Sequence, residues 1–529
     1  NGIILRELCD WDIGIGHRAF TFSLLGVEEM LGKFFSFSTL LGFFLCRHIV
    51  AYNLASAFSK KFPSLPTNTL NKMAPCQDSK MGSLLHSTVL DKEPTKLKPF
   101  DYPGPVENKK TWTLYGEEYD FEAFAKAHPG GELAIRLGQG EDCTRLFESY
   151  HVFSDKHMKV MEKFRISKEK DSKAPALMKR SAFHEDLKVM VREHFAGRPG
   201  LHPHRATKSH LALVASLGVA TAACWYGWFQ GKWAACLALP FVHWVFENNL
   251  SHDSSHFAAF SSPTLNHLGV FTGLPFIYSV HAWYAQHVMA HHTGTNEPDL
   301  DVDLHHMAPI AYHPTMKAYE KLNYYALFLR NWVLACFQLT VLYPFQLGLG
   351  RWFAEVDKVR VRWPAFFNTQ KRYWVANFAI VAAAASVYVI PFLRMGGAKA
   401  TAFATFPTFV ASSLFMLFSQ VSHIHPETQS EQTMGEEDWL KRQASTSMDY
   451  STGSHLWRVL SGGLNTQALH HCLPSVSCCH YTDLYPKFQA VCEKHSVPLY
   501  RKPSLWHALK AFFGYINLMN ERGPKAAAA

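Results

Sequence analysis

Three histidine clusters stand at the edges of long apolar stretches: His252-Asp-Ser-Ser-His256, His287-Val-Met-Ala-His291-His292 and Gln467-Ala-Leu-His470-His471. Imidazole is a good ligand for iron or zinc, and seven of them at ligand spacing can saturate more than one metal. An apolar setting also favours neutral ligands, because an unpaired buried carboxylate carries a large desolvation penalty. Zinc usually takes three or four ligands, which leaves half of these histidines unused. Two irons use them all and add dioxygen chemistry. The pattern predicts oxidative chemistry on an apolar substrate.

If the clusters share one site, they lie on one side of a membrane, and an even number of crossings separates them. Leu211 to Trp228 and Trp233 to Phe246 read as one hairpin of spans, Trp374 to Leu393 and Ala402 to Val421 as another. The span after Trp233 is short for a bilayer of roughly 30 Å and needs Glu247 to Leu250 to complete it. Leu268 to Val280 is too short to cross and is expected in the interface. Tyr324 to Phe345 is long enough, but Arg330 and Asn331 near its middle favour a helix lying on the membrane. Basic residues precede the first and third spans (Arg198, Arg205, Lys208; Arg351, Lys358, Arg360, Arg362, Lys371, Arg372), whereas the opposite turns carry only Lys232, and Arg394 with Lys399. By the positive-inside rule the clusters face the cytoplasm, and the Asn249-Leu-Ser251 sequon never meets the lumen.

At 529 residues with 48% hydrophobic composition, the chain has room for membrane and soluble parts. Its formal charge of +9 brackets the apolar spans instead of forming one dense face, so a membrane surface, not nucleic acid, is the expected partner. The eleven cysteines show neither a disulfide framework nor paired C-x-x-C motifs. Residues 1–100 read as a leader: Phe34 to Cys46 has the length of a targeting segment, and Met73 and Met81 are alternative starts after translated upstream sequence. Residues 101–171 read as a small soluble domain, 172–208 as a basic linker with an amphipathic patch (Phe183, Leu187, Val189, Met190, Val191, Phe195), and 209–520 as the membrane domain.

On an α-helix, His252 and His256 stack on one face, as do His287 and His291, while His292 turns to the neighbouring face. His470 and His471 are adjacent, so one points away unless two metals are served. Gln467, one turn earlier, is placed to hold a bound water or orient a ligand. Asp253, Asp299, Asp301 and Asp303 are natural acceptors for the outer ring N–H of the ligands. In the soluble domain, His128-Pro-Gly-Gly131 and His151 sit on separate segments that can clamp a flat cofactor from both faces, with Gly130 and Gly131 allowing close backbone approach.

These motifs resemble two families. His128-Pro-Gly-Gly131 with Phe147-Glu-Ser-Tyr-His151 is similar to the cytochrome b5 domain. The three clusters, above all Gln286-His-Val-Met-Ala-His-His-Thr-Gly-Thr-Asn296 and Ser461-Gly-Gly-Leu-Asn-Thr-Gln-Ala-Leu-His-His471, resemble the membrane fatty acyl desaturases. The domain order, and Gln467 opening the third cluster, resemble the front-end acyl desaturases. The resemblance implies a mainly α fold: a polytopic membrane helix bundle of about four spans plus interfacial helices, with a small α+β cytochrome b5-like domain on its N-terminal side. It implies haem b held by His128 and His151, and two non-haem irons held by His252, His256, His287, His291, His292, His470 and His471, with Gln467 at the substituted position. A further ligand is expected near the end of the fourth span, and His423 is the choice, although Ser419 stands where related enzymes carry an amide. Cys472 and Cys479 also depart from the usual pattern without removing a ligand.

The implied activity inserts a cis double bond between the carboxyl end and an existing double bond, of delta-5 or delta-4 type. It uses O2 and electrons from NADH through cytochrome b5 reductase, on an acyl lipid or acyl-CoA. The endoplasmic reticulum membrane, with a cytosolic active site, is the expected location, and a plastid membrane the alternative. The alternative activities are sphingoid-base desaturation or acyl hydroxylation at the same centre, and, in another class, a membrane-anchored haem carrier without catalytic iron. Trp283, Tyr284 and Trp457 are the aromatics considered for a substrate channel.

Overall fold

The structure, a computed structural model, describes residues 110–166, 180–198, 200, 202–276, 278–308, 310–316, 324–349 and 363–521. These all belong to one compact unit, Lys80–Ala529. The leader expected over residues 1–100 lies outside the described residues.

The N-terminal part starts with a two-strand antiparallel hairpin, β1 (Trp112–Leu114) and β2 (Glu117–Tyr119), with Trp112 opposite Tyr119. Its two turn residues, Tyr115 and Gly116, both take positive φ (54° and 78°), the geometry whose twist matches a tight hairpin. Trp112, Leu114, Tyr119, Phe121 and Met161 form a small core beneath short helices α1 (Glu132–Arg136), α2 (Thr144–Tyr150) and α3 (Lys156–Met161).

Helix α4 (Ala182–Phe195) follows, opened by the Ser181 hydroxyl accepting the His184 N–H at 3.1 Å. Phe183, Leu187, Met190, Val191 and Phe195 recur at helical spacing and are buried, while Val189 faces outward. They pack into one core with Val152 of the small domain and with Leu469, Tyr485 and Phe488 from around the third cluster. The amphipathic patch thus joins the two parts.

Helix α5 (Lys208–Phe229) and helix α6 (Trp233–Glu247) form the first hairpin. Helix α6 alone covers 15 residues, but it continues through a π-helical turn (Asn248–His252) and a last α turn to Ser255, which supplies the missing length. Helix α7 (Tyr324–Phe337) runs through a second π turn (Gln338–Leu342) into Tyr343–Gly348. Helices α8 (Lys371–Arg394) and α9 (Gly397–Gln420) form the other hairpin. Among the described residues four helices are long and apolar enough to cross a membrane, Lys208–Phe229, Tyr325–Gly348, Lys371–Arg394 and Gly397–Gln420; α6, expected as a span, is not one of them.

The Tyr325–Gly348 helix also packs against the last hairpin. Its Cys336 N–H donates to Ser412 of α9, and Asn377 of α8 donates to the Pro344 carbonyl. Of its polar residues, the reason for expecting it on the membrane surface, Arg330 is exposed, whereas the Asn331 amide donates to Met307 and Ala308 carbonyls, both at 3.0 Å, and its oxygen takes Arg330. Asn331 thus ties the helix to the segment after the second histidine cluster, and at its end Gly348 accepts the Trp374 indole at 3.2 Å.

The two hairpin turns meet at the opposite end of the bundle. Gly231 abuts Lys399 and Met395, and the Trp228 indole donates to the Phe403 carbonyl at 3.0 Å. At the cluster end, Trp244 and Asn249 donate to the Leu460 and Val459 carbonyls. There α10 (Trp439–Ser445), β3 (Met448–Tyr450), α11 (Gln467–Cys472), α12 (Tyr481–Lys494), β4 (Tyr500–Lys502) and α13 (Leu505–Glu521) make a cap in which β3 and β4 pair in parallel.

Candidate metal centres and the cavity beside them

The histidines of all three clusters come together at the cap end and are buried. His252, His256, His287 and His470 form one group, His291, His423 and His471 a second. His292 lies between them: its Nε2 is 3.2 Å from His287 Nε2, and its ring stacks on His471 at 4.3 Å. α-Helical spacing puts His287 and His291 on one face, and with Asp303 these two form a further group. The π-helical turn over Tyr284–His291, which aligns residues five apart, also brings His287 against His292.

The ring nitrogens are sorted. Nε2 atoms point inward: His256 and His252 approach His287 Nε2 at 2.9 and 3.2 Å. Most Nδ1 atoms point outward to a partner: His291 to Asp301 (3.0 Å), His423 to the Thr446 carbonyl (3.1 Å), His470 to the Tyr481 hydroxyl (3.0 Å), His256 to the Tyr150 hydroxyl (2.8 Å) and His471 to Thr295 (3.0 Å). Such partners fix the tautomer that leaves a lone pair on Nε2. Neutral imidazoles crowded through their inner nitrogens cannot all satisfy one another, since each has a single N–H. Nε2 of His470 and Oε1 of Gln467 have no partner among the described residues. A cation fits this donor set.

Gln467 faces the second group, its amide donating to His423 Nε2 at 3.1 Å and His471 Nε2 at 3.2 Å. Burial lowers the basicity of His291, but the Asp301 and Asp303 carboxylates outweigh it and push the group up to about 9, so a cation at its Nε2 would take the place of a proton. Of the four aspartates expected as outer acceptors, Asp301 fills that place, and Asp303 stands 3.7 Å from His291 Nδ1. Asp299 is exposed. Asp253 instead takes the Ser477 O–H (2.6 Å) and the Cys478 N–H (3.2 Å), tying the first cluster to the loop after the third. The outer partners Tyr150, Tyr481, Thr446 and Thr295 carry no spacing signal, because they come from other elements.

A small cavity opens beside both groups. Its wall includes Trp244, Tyr278, Trp283, Phe415 and Ser419, with His252, His287, His291 and Gln467 at one end. Of the aromatics considered for a channel, Trp283 lines it, stacked between Tyr278 and His287 (3.5 and 3.8 Å). Tyr284 turns the other way, toward Phe257 and His267, and Trp457 packs near Tyr450. Ser419 keeps its hydroxyl on the Phe415 carbonyl. Cys472 is buried against Leu440, and Cys479 contacts Ser477; neither enters the groups.

In the small domain, the His128 and His151 rings face each other with centroids 6.3 Å apart. Two imidazoles each about 2 Å from a shared metal have centroids roughly 6 Å apart, so the pair fits axial ligation. His128 Nδ1 rests on the Gly131 carbonyl (3.3 Å) and His151 Nδ1 on the Phe147 carbonyl (2.8 Å), which leaves Nε2 free on both. Burial lowers both basicities, His128 to about 4, so both rings are neutral near pH 7. A side chain at Gly130 would press on the His128 ring at 2.9 Å.

The family model for fatty acid desaturase matches residues 227–503, and that for the cytochrome b5-like heme/steroid binding domain matches residues 100–169. The acyl-lipid omega-13 desaturase of Chlamydomonas reinhardtii is 32% identical over 75% of this chain and 90% of its own length. Delta(5) fatty acid desaturase A of Dictyostelium discoideum is 28% identical over 78% and 91%, and the acyl-lipid (8-3)-desaturase of Mortierella alpina 26% identical over 77% and 93%. No solved structure matches. With the clustered imidazoles and the facing histidine pair, these matches show that the chain belongs to the fatty acid desaturase family and carries a fused cytochrome b5 domain.

Proposed function

We propose that the chain is a front-end acyl-lipid desaturase of delta-5 type. It forms a cis double bond between the carboxyl end of a polyunsaturated acyl chain and an existing double bond. The observation that carries this reading is the pair of imidazole groups at the end of an apolar cavity, with the haem-type histidine pair in the same compact unit. The delta-5 assignment is supported by the names of the Dictyostelium relatives, and the front-end assignment also by Gln467 opening the third cluster.

His252, His256, His287 and His470 would hold one iron, His291, His423 and His471 the other, with His292 between them, and His128 and His151 would hold haem. When bound, the irons supply dioxygen activation and the haem supplies single electrons. The chain's own contribution is positioning. Trp283, stacked between Tyr278 and His287, fixes the cavity wall nearest the imidazoles, and Trp244 and Phe415 bound the apolar space that receives the acyl chain. An alkyl chain offers no polar handle, so this wall decides which carbon lies nearest the centre. Gln467 holds the His423 and His471 lone pairs apart, and a flipped amide would present its oxygen to a cation there. NADH-dependent cytochrome b5 reductase is the proposed electron source, and the endoplasmic reticulum membrane, with the clusters toward the cytosol, the proposed location.

Expression in yeast fed with candidate polyunsaturated acids tests the reading, with double-bond position mapped in the extracted lipids. A new bond at carbon 5 is expected. Unchanged lipids from well-expressed, haem-loaded protein would reject the proposal, and a new bond at carbon 4 would keep the front-end class while rejecting the delta-5 type.

A further inference from the structure

The cytochrome b5 domain is tied to the histidine groups at several points. Arg145 on α2 donates to the Thr293 carbonyl (2.8 Å) and to Glu297 (2.7 Å). Glu297 also receives Arg442 of α10 (2.5 Å), and the Trp439 indole joins Arg145 on the Thr293 carbonyl (3.1 Å). Thr293 directly follows His292. Near the haem-side loop, Gly131 lies so close to Pro263 that a Cβ would sit 2.8 Å from it. This seating brings the end of α2 against the first cluster. Tyr150, the residue before His151, places its hydroxyl 2.8 Å from His256 Nδ1, the two rings lying 17° from parallel.

His256 points its other nitrogen inward, 2.9 Å from His287 Nε2. For that nitrogen to offer a lone pair, the ring proton must sit on Nδ1 and donate outward. The Tyr150 oxygen is the acceptor in place. His291 and His423 use a carboxylate and a carbonyl of the desaturase domain for the same purpose, whereas His256 borrows its partner from the haem domain.

We propose that Tyr150 is a positioning residue: it holds His256 in its ligating orientation and makes the shortest bonded link between the two redox centres. The inference rests on the di-iron reading of the imidazole groups. One residue and one hydrogen bond separate His151 from His256, so single electrons leaving reduced haem and arriving at oxidised iron have a through-bond route. Two such transfers serve each turnover, and the phenol itself is neither oxidised nor deprotonated.

The test uses full-length protein loaded with haem and iron, comparing Tyr150→Phe with wild type. The Soret band reports haem ligation, a ferrous chelator under reducing conditions reports release of non-haem iron, and stopped flow follows reoxidation of reduced haem with acyl substrate and O2. Tyr150→Phe is expected to keep the Soret band, release iron at least about tenfold faster, as loss of a ligand's outer partner does, and reoxidise its haem more slowly. Wild-type iron release overturns the proposal even if reoxidation slows, since looser docking alone would slow transfer without freeing His256. Wild-type protein that binds haem but no non-haem iron would instead overturn the di-iron reading itself.

Discussion

Eight buried imidazoles converge, with the Asp303 carboxylate beside His287 and His291, and their roles differ by single contacts. His423 is the instructive one. It lies outside the three clusters, four residues after the polar position Ser419, and the sequence marks it only through a family resemblance. Its place beside His291 and His471, at centroid distances of 4.6 and 4.8 Å, makes it one of three imidazoles in the second group. His423→Ala should lower non-haem iron from two per chain toward one and abolish desaturation, with the haem spectrum intact; two irons retained in that variant would remove it from the ligand set. His470→Ala should likewise abolish conversion and spare the haem. Asp301→Asn should weaken iron binding by about 10–100-fold through loss of its charged bond to His291, which iron titration against a chelator measures; unchanged affinity would mean that the carboxylate only braces the loop through the Asn296 N–H. Residue identity marked the histidines of the three clusters, which the fold brings together. It did not announce which aspartate serves which ring, because Asp253 and Asp301 are equivalent in composition and differ only in what the fold brings beside them.

At the scale of elements, the close approach of α11's leading loop to the first cluster depends on Gly462. It takes φ +62°, and a Cβ there would lie 2.5 Å from the Asn248 carbonyl oxygen, a backbone atom with little freedom to move. A left-handed residue costs about 1–2 kcal/mol without glycine, and overpacking a tight site adds about 1–3 kcal/mol. Gly462→Ala should therefore lower the melting temperature and the iron content together. Gly453→Ala, where nothing lies within 4 Å of the added Cβ, should change neither. Equal melting temperatures for the two variants would show that the Asn248 segment yields. The hairpin of α8 and α9 was legible as apolar runs of spanning length, and α4 as an amphipathic patch. The π turns were not: apolar periodicity assumes 3.6 residues per turn, and the wider turn at Tyr284–His291 brings His292 against His287. In the Tyr325–Gly348 helix, Arg330 and Asn331 read as solvent-seeking in sequence; Arg330 is exposed, whereas Asn331 meets the carbonyls of Met307 and Ala308.

For the whole molecule, the decisive relation is between its two ends. The turns at Gly231 and Gly396–Gly397 gather at one end, and every histidine of the two groups gathers at the other with the cytochrome b5 domain. With the proposed NADH-dependent reductase as electron source, the haem end would face the cytosol. The basic residues ahead of α5 and α8 agree with that orientation. The Tyr325–Gly348 helix is bonded to the Met307 carbonyl through Asn331 and to Trp374 of α8 through Gly348. A glycosylation acceptor inserted at Gly396, where an added side chain meets nothing, should be modified when the protein is made in microsomes. The same acceptor at Gly453, beside the cap, should stay unmodified, as should Asn249 of the natural sequon, which is 1% exposed. Modification at Gly453 but not at Gly396 would invert the molecule, cut the haem off from cytosolic reductant, and require a different electron donor from the one proposed.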